Sequence, residues 1–145
     1  SSLESVLIHD GLQYAFTGES MGNTGETVAS EYGISREQSD AFAIRSHALS
    51  NKAWEEGWLD DEVFPVGEFS RDEGIRPGSD METLGSLRTV FRDDGQVTAG
   101  NSSQVSDGAS AVLITSEQVA AELGLPVLAR IVGYATSGVE SHRVM

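Results

Sequence analysis

The chain has 145 residues, 39% of them hydrophobic, which is enough for one modest domain or two incomplete ones. Nine basic residues against 23 acidic ones give a formal charge of −14 and argue against a duplex nucleic-acid binder, which needs a concentrated basic face. With no cysteine, disulfides, thiolate metal sites and cysteine nucleophiles are excluded within these residues. An anionic ligand is still allowed, because one arginine and a few backbone N–H groups can hold a phosphate. Ser1 to Ser5 lack a basic segment followed by a long apolar run, so no signal peptide is expected. No stretch approaches the roughly 18 apolar residues of a membrane span. The opening without methionine and the stop at Met145 read as a piece of something longer.

In chain order, Val6 to Phe16 form an apolar run interrupted by the turn dipeptide Asp10-Gly11. Asn23, three residues before Glu26, predicts a capping-box variant opening a helix of about two turns. Val28, Ala29 and Tyr32 form its apolar face, and Gly33 stops it. Ser35 and Gln38 stand in the capping-box relation and open the clearest helix, which Gly57 ends. Phe42, Leu49 and Ala53 form its apolar stripe, widened by Ile44 and Ala48. Phe42, Trp54 and Trp58 are expected in a core or helix-packing surface. His47 is read as solvated or locally hydrogen-bonded rather than as a ligand.

Residues 59–66 predict a turn entering a short strand that Pro65 keeps at an edge, and residues 67–80 a loop. Asp80 is placed as the N-cap of a short helix with Leu84 and Leu87 on one face, and Asp93-Asp94-Gly95 as a turn. After residue 96 the chain becomes small and polar, and Ser106-Asp107-Gly108 is read as a tight turn. Residues 109–115 form a near-continuous apolar run that suits a strand in a sheet covered on both faces. Ser116 caps a helix from Glu117 to Leu123, stopped by Gly124, and residues 128–134 read as a second strand. The expected class is therefore α/β, with a boundary near residue 96 between a helical, loop-rich part and a layered part.

Chemistry alone singles out little. His9, His47 and His142 show no metal-ligand spacing, and no metal site is expected. No serine sits in a G-x-S-x-G elbow, and no G-x-G-x-x-G follows a strand. The pairs Glu55-Glu56, Asp60-Asp61 and Asp93-Asp94 read as solvated charge in preference to glycosidase carboxylates. Thr98 to Ser103 serve either a tight structural turn or a ligand-lining loop, with Asn101 offering both donor and acceptor. Asp107 before Gly108 reads as an Asx turn rather than a catalytic acid.

Several collinear blocks together resemble the thiolase family, and within it the degradative 3-ketoacyl-CoA thiolases. They are Gly100-Asn101-Ser102-Ser103-Gln104-Val105-Ser106-Asp107-Gly108-Ala109; Ser20-Met21-Gly22-Asn23-Thr24-Gly25-Glu26; Tyr32-Gly33-Ile34-Ser35 running on to Asp40 and Phe42; Asp72-Glu73-Gly74-Ile75-Arg76-Pro77 with Leu84, Leu87 and Phe91; and Ala129-Arg130-Ile131-Val132-Gly133-Tyr134-Ala135. The resemblance implies a thiolase-like layered α/β fold. Residues 1–96 would be much of the loop domain inserted in the N-terminal half, 97–126 the end of that half, and 127–145 the start of the C-terminal half.

The resemblance also implies an acyltransferase that cleaves 3-ketoacyl-CoA with free CoA, the coenzyme serving as substrate with no permanently bound cofactor. The family's cysteines, catalytic histidines and asparagine would lie before Ser1 and after Met145, so no catalytic residue is assigned and the isolated residues are expected to be inactive. What is carried resembles the CoA-binding side. Arg76 matches the arginine near the adenine end, and Leu12, Thr83, Leu84, Leu87 and Phe91 match the adenine and pantetheine path. Ala99 and Ser103 match the loop beside the pantetheine arm, and Met21 and Met145 the methionines near the thioester. Acyl-CoA, CoA, the rest of the thiolase chain and a homodimer or homotetramer are the implied partners, in the cytoplasm, with no nucleic acid and no membrane span. Ser20-Met21-Gly22 in place of His-Met-Gly, and the absence of the biosynthetic insertion before Asp72, favour thiolytic degradation. Thr89 stands where the family usually has proline. The alternative is a non-catalytic CoA- or lipid-binding or oligomerisation module on the same fold.

Overall fold

A computed structural model describes residues 3 and 5–143. It divides into two compact units, Ser1–Gln104 with Glu140–Met145, and Val105–Val139.

The first unit is built on three helices. Ahead of them, a wide helical turn at Leu7–Leu12 takes the place of the expected Asp10-Gly11 reversal. An antiparallel bridge between Gln13 and Ser20 then turns the chain into α1, Met21–Glu31. α1 is longer than the predicted two turns and starts earlier. Ser20 is its N-cap residue, and Glu26 does not return to cap Asn23 but is buried against a distant loop. Helix α2, Arg36–Glu55, opens with the capping box: Gln38 N–H donates to Ser35 Oγ, and Ser35 N–H donates to Gln38 Oε1. Helix α3, Met81–Gly85, is capped by Asp80, whose carboxylate accepts from Thr83 N–H at 2.7 Å.

Glycine ends α1 and α2 in one way. Gly33 and Gly57 sit at φ +64° and +72°, conformations that a Cβ disfavours. In each case the glycine N–H and the N–H after it reach back to carbonyls of the last turn: Gly33 to Ser30 and Ile34 to Ala29, Gly57 to Trp54 and Trp58 to Ala53. This is the Schellman arrangement.

Helix α2 packs on α3, and α1 on a short 3₁₀ turn at Ser141–Arg143, where Arg143 Nε donates to Glu31 Oε2 at 2.7 Å. The face that α2 turns inward is not the predicted apolar stripe. Phe42 is 69% exposed, and Leu49 and Trp58 are also exposed, whereas Asp40 is buried and Arg36, Ala43, Ile44, His47, Asn51 and Trp54 are partly covered. The inward stripe is thus largely polar, at the i, i+4, i+7 spacing of one helix face. It is satisfied by hydrogen bonds to loops rather than by apolar packing.

The connection from α2 to α3 contains no strand at 59–66. Turns follow Gly57, and a tight reversal at Gly67 pairs Val66 with Phe69 through bonds of 2.9 and 3.1 Å. Beyond α3, a bridge between Thr89 and Thr98 closes a hairpin-like loop around the expected Asp93-Asp94 turn.

In the second unit, α4 spans Glu117–Glu122, with Ser116 Oγ accepting from Val119 N–H and Gly124 ending it in the same Schellman fashion. Residues 109–115 and 128–134 are not helical, but neither forms a strand among the described residues. Val112, Leu113, Ile114, Ile131 and Val132 are exposed. A ladder needs a neighbouring row of N–H and C=O groups, and no described segment supplies one to either run. The expected turn at Ser106-Asp107-Gly108 is also absent, and that stretch runs on without a reversal. No helix among the described residues is long and apolar enough to cross a membrane.

Candidate functional site

Among the described residues, those expected to line the coenzyme path fall into two appositions and two separate positions. In the first apposition, Leu84 is buried on α3 and Leu87 half-buried just after it, both against Gly100. A Cβ on Gly100 would lie 2.6 Å from Leu87 Cδ1 and 3.1 Å from Leu84 Cγ, so only glycine lets the 98–103 loop approach this closely. Ala99 and Ser103 are exposed on the same loop, and Thr83 is exposed on α3.

In the second, the Phe91 ring covers Gly22, next to half-buried Met21 at the start of α1. Leu12 is exposed on the N-terminal helical turn, and Arg76 is exposed in the loop before α3. Met145 lies outside the described residues. A hollow lined by His9, Asp10, Gln13, Tyr14, Ala15 and Gly18 contains none of these positions.

The loop at Thr98–Ser103 is a structural turn with an exposed rim. Asn101 Oδ1 accepts from Thr98 N–H at 2.8 Å, while Asn101 Nδ2 donates to Gln96 O and to Asp40 Oδ1, each at 2.9 Å. Ser102 Oγ donates to Thr98 O at 2.7 Å. Thr98 is fully buried and Asp40 is 1% exposed, so these bonds form out of competition with water.

Arg36 Nε donates to Asp40 Oδ2 at 2.7 Å, and its Nη2 donates to Leu84 O and Leu87 O. The guanidinium thereby satisfies carbonyls at the C-terminal end of α3, where positive charge is favoured. On the other side, buried Glu26 accepts from Gln96 N–H with both oxygens and from Val97 N–H, at 2.8–2.9 Å. Arg92 reaches α1 through Asn23 O and Thr27 Oγ1.

The Arg76 loop is tied to α2. Arg76 N–H donates to His47 Nδ1 at 3.2 Å, a bond across 29 positions rather than the local one or the solvation expected of that histidine. Trp54 Nε1 donates to Asp72, Arg71 donates to Asn51, and the Arg71 guanidinium lies 5.5 Å from the Trp54 ring centroid. The Arg76 guanidinium is exposed and donates through Nη1 to Glu73 O and Ile75 O. Among the described residues no hydrogen bond joins Arg76 to Thr83, Leu84 or Ser103.

Reading along the sequence missed Glu26, Arg36, Asp40 and Gly100 as the residues that hold these loops. The i, i+4 spacing of Arg36 and Asp40 is the one local signal that marks a pair. The partners of Asp40 and Glu26 lie 61 and 70 positions away and carry no local signal.

Residues 1–118 match the thiolase N-terminal domain family. The chain is 46% identical over 149 residues to an acetyl-CoA acetyltransferase of Pseudomonas aeruginosa, covering 97% of this chain and 38% of that protein. It is 47% identical over 137 residues to a 3-ketoacyl-CoA thiolase of Bacillus subtilis, covering 83% of this chain and 35% of that protein. The crystal structure of the Bacillus anthracis acetyl-CoA acetyltransferase superposes with a TM-score of 0.87 and 37% identity over 99% of this chain and 38% of that one. The chain thus spans well under half the length of these proteins. Its fold is that of the corresponding part of a thiolase, the layered α/β class expected from the motifs, and the chain belongs to the thiolase family.

Proposed function

We propose that these residues serve a CoA-dependent acyltransferase that cleaves 3-ketoacyl-CoA with free CoA to give acetyl-CoA and a shortened acyl-CoA. The observation that carries the reading is the identity of 46% and 47% to proteins named acetyl-CoA acetyltransferase and 3-ketoacyl-CoA thiolase. Ser20-Met21-Gly22 and the direct run into Asp72 support the degradative direction. In the same reading, residues 1–96 belong to the loop domain, 97–126 close the N-terminal half and 127–145 open the C-terminal half; the family match over residues 1–118 supports the first two.

The part played here is a share of the coenzyme surface. A long, mixed-polarity arm ending in phosphates suits apolar walls with a cation at one end. Half-buried Leu87 beside the Gly100 loop, backed by buried Leu84, offers such a wall, and exposed Arg76 the cation. Acyl transfer needs an activated nucleophile, which the family takes from a cysteine, and these residues contain none. The 145 residues alone are therefore inactive towards acetoacetyl-CoA and medium-chain 3-ketoacyl-CoA with free CoA.

Arg76→Ala in the complete enzyme tests the assignment. KM for CoA rises by about tenfold or more with kcat little changed, as when a contact made equally in ground and transition states is lost. An unchanged KM removes Arg76 from the site.

A further inference from the structure

We propose that Asp40 is a positioning residue that sets the Thr98–Ser103 loop against the end of α3, and thereby fixes the spacing of two walls of the coenzyme site; the second half rests on the reading above. Asp40 is 1% exposed and touches no ligand itself. One of its oxygens accepts from Asn101, at the heart of the loop that carries Ala99 and Ser103. The other accepts from Arg36, whose guanidinium grips the Leu84 and Leu87 carbonyls. A single carboxylate therefore joins both walls to α2.

Only a carboxylate of this length does so. Both its oxygens accept, whereas an amide has one acceptor, so an asparagine at this position would set an N–H₂ group against either Arg36 or the Asn101 amide. A glutamate would add a methylene to a closed site.

The exchange of partners gives the test. In Asp40→Asn the new amide oxygen keeps Arg36, and its N–H₂ meets that of Asn101. Adding Asn101→Asp restores an acceptor there and keeps the bond from Thr98 N–H, but gives up the donation from Asn101 Nδ2 to Gln96 O.

In the complete enzyme, Asp40→Asn is expected to raise KM for CoA about tenfold with kcat within about twofold, and the double variant, which still lacks the Gln96 bond, to recover part of that rise. An unchanged KM, or a rise that the double variant does not lessen at all, overturns the proposal. Should Asp40→Asn not fold, Arg36→Lys cuts the grip on the Leu84 and Leu87 carbonyls while leaving the Asp40–Asn101 bond and the loop's own bonds, and is held to the same result for KM.

Amide hydrogen exchange gives a readout independent of catalysis. In Asp40→Asn it is expected to quicken at residues 96–103 and stay unchanged in α1. Uniform quickening throughout the helices overturns positioning in favour of a general stabilising role. If the unmodified complete enzyme turns over no acyl-CoA, the functional reading falls, and the exchange pattern alone decides the role of Asp40.

Discussion

Gly22 lies directly under Phe91: a Cβ at residue 22 would stand 2.1–2.3 Å from three carbons of the ring. The glycine lies in the first turn of α1, where it costs less than the roughly 1 kcal/mol relative to alanine of a helix interior. It is kept because the ring, from a loop near the other end of the first unit, rests on bare backbone.

Gly22→Ala therefore tests which effect is larger. Helix propensity favours the alanine, while overpacking costs about 1–3 kcal/mol and pushes the ring into solvent. The expected net result is a loss of about 1–2 kcal/mol, read from urea unfolding. A gain in stability would show that Phe91 moves aside freely.

Gly33 gives the opposite case. Nothing lies within 4 Å of a Cβ built there, but its φ is +64°. Gly33→Ala is expected to lose about 1 kcal/mol through backbone strain alone, and Gly33→Asn less, since asparagine tolerates the left-handed region. Equal losses in the two variants would contradict a purely conformational cause.

Glu26→Gln replaces a carboxylate that accepts from both Gln96 N–H and Val97 N–H. The amide leaves a donor facing a donor in a buried place, with an expected loss of about 2 kcal/mol. Thermal unfolding of the variant checks it, and a loss confined to the noise of a surface substitution would rule the clasp out.

Acid acts on the helix caps with a definite sign. Hydrogen bonds from Thr83 hold the Asp80 carboxyl below its ordinary range, and those from the Glu37 backbone N–H and Ser35 do the same for Glu37. A carboxyl with a depressed folded-state pKa stabilises fully above its unfolded value and loses that contribution as pH falls through the folded one. Stability of the native protein therefore declines below about pH 4, and Asp80→Asn flattens that decline. Parallel urea titrations at pH 5 and pH 3 on the two proteins measure it. An identical decline in the variant would exclude Asp80.

Apart from the start of α1, helix ends were legible in the sequence because their determinants are local. Ser35 with Gln38, Asp80, Ser116 and the glycines at 33, 57 and 124 each act within one turn. The inward face of α2 was not legible. Phe42 and Leu49 point out while Arg36 and Asp40 point in, since the latter two find partners in loops far along the chain. The strands expected at 109–115 and 128–134 failed for a related reason, as an apolar run specifies extended backbone only when a neighbour is there to pair with it. The motifs single out the loops that carry Arg76, Ala99 and Ser103, while the side chains that hold those loops in place emerge only in three dimensions.

The Glu26 clasp on Gln96 closes a span of 70 residues. Closure entropy grows only with the logarithm of that span, so adding about ten residues inside it shifts the balance by roughly 0.1 kcal/mol. The segment between α2 and α3 can therefore lengthen with almost no thermodynamic resistance from this closure, provided the Arg76 loop still reaches His47. An insertion ahead of Asp72 is in that sense a nearly free variation: this surface can be rebuilt without disturbing the joint that holds its two ends.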